Sequence, residues 1–180
     1  VSFLNRARSD ANIMDILSTN IPFITFLDIE ASGLEQPSSY PIEIGWADTF
    51  GNNEGFLIRP FRGWDHWDPL AEAIHGITRD EIIEHGLHII DAAEKLNDML
   101  GFETVFCDAL DTDYFWLKKL YEASGKEPSF KLADIYQLHK ILSDEHMASM
   151  KTILKDLPIP HRAQSDAARY AEAVVSSYQI

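Results

Sequence analysis

A chain of 180 residues with 29 acidic and 15 basic side chains, formally −14 at pH 7, is not built to coat long nucleic acid through a broad basic face. Its 46% hydrophobic content is that of an ordinary globular protein, and its length suits one compact domain over residues 1–180 with a sizeable core. The chain starts at Val1 rather than Met, with no signal-peptide pattern and no apolar run long enough to span a bilayer; Cys107 is the only cysteine, so no intrachain disulfide forms and a reducing cytoplasm is the expected setting.

In chain order, residues 9–18 form a short amphipathic helix pattern with Ile13, Met14, Ile16 and Leu17 apolar. Phe23 to Leu27 is a nearly continuous apolar run, the pattern of a strand buried on both faces, and it is expected to end at Asp28. A loop rich in Gly, Pro and Ser follows over 32–41. Residues 42–48 and 54–60 are predicted as second and third strands around the turn signal "FGNN". Residues 61–68 are a polar and aromatic loop, and 68–86 short helical turns. An amphipathic helix is predicted over 89–100, a fourth strand over 103–109, and a helix over 111–124 stopped by Gly125. Residues 132–142 and 143–157 carry further helical patterns, "PIP" at 158–160 breaks the last of them, and 165–178 is the final helix. The order βββαβα, then more helix, predicts a mixed α/β sheet flanked by helices.

Asp28 and Glu30 raise the first chemical question. Residues two apart on a strand share a face, about 6–7 Å from one another. Like charges this close need a cation to neutralise them, or one must stay protonated. A third acid stands near the chain's end: Ser165 is a plausible N-cap and Asp166 sits in the first turn, where a carboxylate favours the helix dipole. His161, five residues earlier and directly after Pro160, is kept on the loop facing that helix start, which suits a general base. Among the acids of "CDALDTDYFWLKKL", Asp113 shares a helical face with Trp116, Leu117 and Leu120, whereas Asp111 aligns with Tyr114, Phe115 and Lys118 as an N-cap. A carboxylate on an apolar stripe is costly without a partner, so Asp113 is the candidate ligand, with Asp108 at the end of the fourth strand as the alternative.

"FLDIEASGL", "DTDYFWL" and "HRAQSDA" together resemble the three sequence blocks of the DEDDh, or DnaQ-like, 3′–5′ exonucleases of the ribonuclease H-like superfamily, a group that includes polymerase proofreading subunits, oligoribonuclease and ribonuclease T. "IEIGWA" and "IHGIT" match stretches that commonly lie between the first two blocks, so the resemblance covers roughly residues 22–178. Ser32 stands where Thr is common, and the second block carries one residue more than the usual spacing.

The resemblance implies a ribonuclease H-like mixed five-stranded sheet flanked by helices. It implies two Mg²⁺ or Mn²⁺ ions about 3.5–4 Å apart, with Asp28 bridging both, Glu30 and Asp166 on one and Asp113 near the other. His161 would be the base, and Ser32, Gly33, Leu34 and His75 would contact the substrate. The implied reaction releases nucleoside 5′-monophosphates from a single-stranded 3′ end, short RNA slightly favoured over DNA. A DNA proofreading or repair exonuclease and a non-catalytic module binding nucleic-acid ends are the alternatives. A homodimer is compatible with the chain, no membrane partner is expected, and a polymerase partner is left open. Trp64 and Trp67 are read as loop anchors before base platforms, and His66, His85, His88, His139 and His146 lack metal-ligand spacing.

Overall fold

Alternation along the first strand decides how the sheet is covered. In the computed structural model, which describes residues 20–179, β1 (Thr25–Ala31) sends Leu27, Ile29 and Ala31 into one core and Phe26 into another. Asp28 and Glu30 share the face of Phe26, since side chains two apart point the same way. The helix expected over 9–18 lies outside the described residues. β2 (Pro41–Asp48) and β3 (Asn53–Leu57) pair with it as an antiparallel meander. Asp48 closes the hairpin turn by accepting the backbone N–H groups of Phe50 and Asn52 at 2.8 and 3.0 Å, as an Asx turn does.

Two short helices, α1 (Pro69–His75) and α2 (Arg79–His85), then α3 (Ile89–Leu100), carry the chain across to β4 (Thr104–Cys107), parallel to β1. α4 (Leu110–Ser124) crosses to β5 (Lys131–Asp134), parallel to β4. The sheet order is β3-β2-β1-β4-β5: a mixed five-stranded sheet, flanked by helices as expected. α3 and α4 pack Leu96, Leu100, Trp116 and Leu120 with Ile42, Ile44 and Val105 in the first core. α5 (Asp144–Asp156) and α6 (Ala163–Ser177) pack Met150, Ala167, Ala171 and Val174 with Phe26 and Phe106 in the second. No helix among the described residues is long and apolar enough to cross a membrane.

Four local readings are corrected. β1 does not end at Asp28; it runs through both acids to Ala31, because Asp28 and Glu30 stay in register with Gly45 and Glu43. The helical pattern over 132–142 splits into the end of β5 and a 3₁₀ helix, Ile135–Lys140, which begins where Asp134 accepts the Tyr136 N–H at 2.7 Å. Pairing with β4 overrides the local pattern there. α4 starts at Leu110 with Ala109 as N-cap, so Asp111 lies inside the first turn and caps nothing. α6 starts at Ala163 with Arg162 at the N-cap position, so Ser165 is not the cap.

The C-terminal ends of β1, β4 and β5 point to one edge of the sheet, and β1 is flanked there by an antiparallel neighbour on one side and a parallel one on the other. In open α/β sheets ligands bind outside such strand ends, where the connections diverge. Asp28 and Glu30 stand at this edge.

Candidate active site

One oxygen each of Asp28, Glu30 and Asp166 lie within 4.8 Å of one another. The first two are placed by strand alternation. Asp166 is placed by how low α6 lies on the sheet. A Cβ on Gly45 would stand 2.0 Å from Gln164 N and 2.3 Å from the Ala163 carbonyl carbon, and one on Gly55 would stand 2.7 Å from Gln164 Cβ. The start of α6 therefore rests directly on the backbone of β2 and β3, a close approach that two paired glycines permit. Gly45→Ala is expected to lift that helix end, destabilise the protein by about 1–3 kcal/mol as overpacking typically does, and draw Asp166 away from Asp28. Thermal melts with and without Mn²⁺ check this; an unchanged metal-induced rise in Tm would count against the role given to this contact.

Glu43 anchors the same helix end. It is buried opposite Glu30, and its carboxylate accepts Arg162 Nε at 3.2 and 3.1 Å, Arg162 Nη2 at 2.6 Å and the Ala163 backbone N–H at 2.9 Å. The guanidinium fork answers the buried charge, and the Ala163 N–H is one of the first-turn donors that has no partner inside its own helix. Asp166 Oδ2 accepts the Arg162 backbone N–H at 3.0 Å, so two acids clamp one turn. Sequence reasoning gave Glu43 no role, although an acid between Ile42 and Ile44 on an interior strand requires a buried partner.

Asp113 is buried as the helical stripe implies, while Asp108 and Asp111 are exposed. Asp113 Oδ2 has no hydrogen-bond partner among the described residues, and Asp108 accepts the Tyr170 hydroxyl at 2.5 Å. Asp113 lies outside the three-oxygen cluster but lines the same cavity. Asp113→Ala is expected to cost far more activity than Asp111→Ala, which removes only an exposed first-turn acid; equal losses in a hydrolysis assay, or a larger loss for Asp108→Ala, would reassign the ligand.

The four acids are short of positive charge. Burial, then the charges of Asp113, Glu30, Asp166 and Asp108, push Asp28 well above the usual carboxylate range. Burial, then Asp166 and Glu43, push Glu30 up to about 7. Burial, then Asp108, push Asp113 up to about 7, and burial raises Asp166. Of the two guanidinium groups beside them, Arg162 is engaged by Glu43, and Arg169 donates to the Leu154 carbonyl. An all-oxygen donor set with an orphaned buried carboxylate oxygen fits a hard divalent cation such as Mg²⁺ or Mn²⁺.

These side chains line a cavity of about 690 Å³, with Gly33, Leu34, His75 and His161 also in its wall. His161 is exposed and adopts φ +53°, an uncommon conformation for a residue with a Cβ. Leu34, Leu70, Ile74 and Ile159 are large apolar side chains left exposed around the cavity. His75 is buried; its Nδ1 accepts the Ile77 N–H at 3.0 Å, its Nε2 has no partner among the described residues, and burial lowers its pKa. Gly33, at φ +149°, has no room for a Cβ, which would meet His66 Cε1 at 2.6 Å. Ser32 lies outside the cavity wall, buried, its hydroxyl accepting the Tyr40 N–H and bonded to His66 Nδ1. Trp64 stacks on Tyr40 and Trp67 donates to Glu72, so both anchor the loop. His88, His139 and His146 each hydrogen-bond the backbone, and His85 lies beside Glu84.

No family model matches the chain, and no curated protein does. Solved structures do. Exonuclease I from E. coli in complex with a dA16 oligonucleotide superposes with TM-score 0.67 at 15% identity, covering 87% of this chain and 41% of that one. Exonuclease I from Methylocaldum szegediense gives 0.65 at 16% identity, with 87% and 41% covered. A zinc-bound E. coli exonuclease I–single-stranded DNA complex gives 0.62 at 15% identity, with 86% and 39% covered. This chain thus spans about two fifths of those proteins, and what it shares with them is the ribonuclease H-like mixed sheet flanked by helices.

Proposed function

We propose that the chain is a metal-dependent 3′–5′ exonuclease that hydrolyses the terminal phosphodiester of single-stranded nucleic acid and releases nucleoside 5′-monophosphates. The observation that carries this reading is the convergence of Asp28, Glu30 and Asp166 within 4.8 Å, in a cavity that Asp113 and His161 also line. Asp28, Glu30, Asp113 and Asp166 would hold two Mg²⁺ or Mn²⁺ ions. Bound there, the ions would supply the positive charge that activates water and offsets charge on the leaving oxygen. His161, on its exposed turn, accepts the proton of the attacking water. Leu34, Leu70 and Ile74 offer apolar surface to the terminal base, and His75 closes the wall beneath them.

A cavity of this size is within the usual range of ligand sites, roughly 300–1,000 Å³, and so has room for a terminal nucleotide. E. coli exonuclease I structures hold dA16, dA13 and dT13 oligonucleotides, whereas small free-standing members of the resembling family often trim RNA; short RNA remains the slightly favoured substrate here. Sugar choice turns on contacts to the 2′-OH. End-labelled short RNA and DNA, incubated with Mg²⁺, Mn²⁺ or EDTA, test the proposal. A metal-dependent ladder shortening from the 3′ end is expected. Tight end-binding with no hydrolysis in either metal would instead return the non-catalytic binding module.

A further inference from the structure

Beyond Tyr170 the catalytic cavity is continued by a second depression of about 590 Å³, with which it shares Asp108 and Tyr170. Its other walls are the 3₁₀ helix, through Tyr136, and α5, through Met147, Lys151, Leu154 and Lys155. Lys151 and Lys155 are four apart on one helix, so their ammonium groups rise from the same face. Neither makes an ion pair among the described residues. Lys95, Lys118, Lys126, Arg79 and Arg162 are each matched to a carboxylate and Lys119 is held by three backbone carbonyls; of the described cations without an ion pair, which include Arg59, Arg62, Lys131, Lys140 and Arg169, only Lys151 and Lys155 line this depression. In a chain of formal charge −14, two unmatched cations in one depression beside the acid cluster mark it for an anion.

Three further features describe that anion. Tyr136 is 69% exposed on the depression's wall, an aromatic face of the kind on which bases stack. Arg169 lines the catalytic cavity while its Nη2 donates to the Leu154 carbonyl at 2.6 Å, joining the two depressions, and its Nε is buried without a partner among the described residues. Asp108, on the shared ridge, repels phosphate, so a strand crossing it must turn a sugar or base toward Tyr170 and its phosphates toward α5. A small metabolite would need neither the length of two joined depressions nor paired lysines beyond a ridge.

We infer that the second depression is a subsite for the phosphodiester backbone of the same single strand, a few nucleotides upstream of its end. Lys151 and Lys155 take its phosphates and Tyr136 takes a base. The direction of the strand rests on the exonuclease reading; the presence of an anion-binding track does not.

The test uses fluorescently labelled RNA and DNA strands, from dinucleotides through dodecamers, with Ca²⁺ in place of Mg²⁺ to suppress cleavage. For the unaltered chain, affinity should rise over the first few nucleotides and then level off, with a shallow dependence on salt. Each phosphate contact adds about 0.7 to the slope of log affinity against log salt for single strands. The double variant Lys151→Gln/Lys155→Gln should therefore lower that slope by about 1.4 on the longer strands and erase most of the gain with length. Tyr136→Ala should weaken the longer strands without changing the slope. Lys118→Gln/Lys131→Gln, an equal loss of charge elsewhere, should change neither quantity. An unchanged slope and length dependence in the Lys151/Lys155 variant overturns the subsite, even if the protein degrades RNA or DNA normally. A lysine-dependent slope in a protein that hydrolyses nothing keeps the subsite and removes the exonuclease reading.

Discussion

Asp28→Asn is expected to reduce hydrolysis to background while making the metal-free protein more heat-stable at neutral pH. The two effects have one cause. Asp28 stands at the centre of the acid cluster, and its carboxyl is held well above its ordinary range by burial and by four neighbouring carboxylates. Glu30 and Asp113 are carried to about 7 by the same influences. In the unfolded chain these groups lose their protons near their ordinary values of about 4. Between about pH 4 and 7 the folded protein thus binds more protons than the unfolded one, and its stability falls as pH rises through that window. For Glu30 and Asp113 the contribution is fully present below about pH 4 and lost above about 7. Asparagine keeps the shape but has no proton to hold, so the cost of keeping Asp28 protonated in the folded state at neutral pH disappears.

Melting curves across pH without metal should show a shallower decline for Asp28→Asn than for the unaltered chain. Mn²⁺ should raise the Tm of the unaltered chain strongly near pH 7.5 and that of the variant much less, because a ligand that binds only the folded state stabilises it in proportion to its affinity. Near-normal turnover in Asp28→Asn would remove the metal-dependent reading outright.

His161→Ala carries the second large effect. General bases contribute about 10²–10⁴-fold, and a loss of that order is expected with the Mn²⁺-induced rise in Tm largely retained. Backbone conformation must be separated from chemistry, because His161 sits at φ +53° and alanine disfavours that region. Glycine adopts it freely, so His161→Gly preserves the turn and removes only the imidazole. Similar losses in the two variants, with the acidic limb of the rate–pH profile altered in both, assign the effect to the ring. A normal rate in the glycine variant would mean that the proton leaves by another route.

What the sequence made legible follows from the range over which each feature is decided. Asp28 and Glu30 stand together because strands alternate with period two, and Asp113 turns inward because helices repeat at 3.6; both periods are local. Gly125 ends α4 with φ +67° for an equally local reason. β5 was hidden because four residues pair with β4 while the apolar spacing around them imitates a helix. The start of α6 was misjudged because Glu43, 120 residues away, satisfies Ala163, so no residue of the helix advertises the cap. Gly45 and Gly55 were visible as glycines in strands, but what approaches them is decided by tertiary packing. The second depression, between α5 and the 3₁₀ helix, has no counterpart in any one segment of the sequence.

The seating of α6 on Gly45 and Gly55 also bears on when the acid cluster is completed during synthesis. Chains emerge from the ribosome N-terminus first, and distant contacts form late because their loop entropy must be met before they stabilise anything. A nascent chain exposed only as far as Pro160 holds Asp28, Glu30 and Asp113 but lacks His161, Asp166 and the Arg162 that answers Glu43. Such a chain has uncompensated acids and lacks the Asp166 oxygen that completes the three-oxygen cluster. Completion of the acid cluster is therefore expected only once α6 has been translated and has docked on β2 and β3.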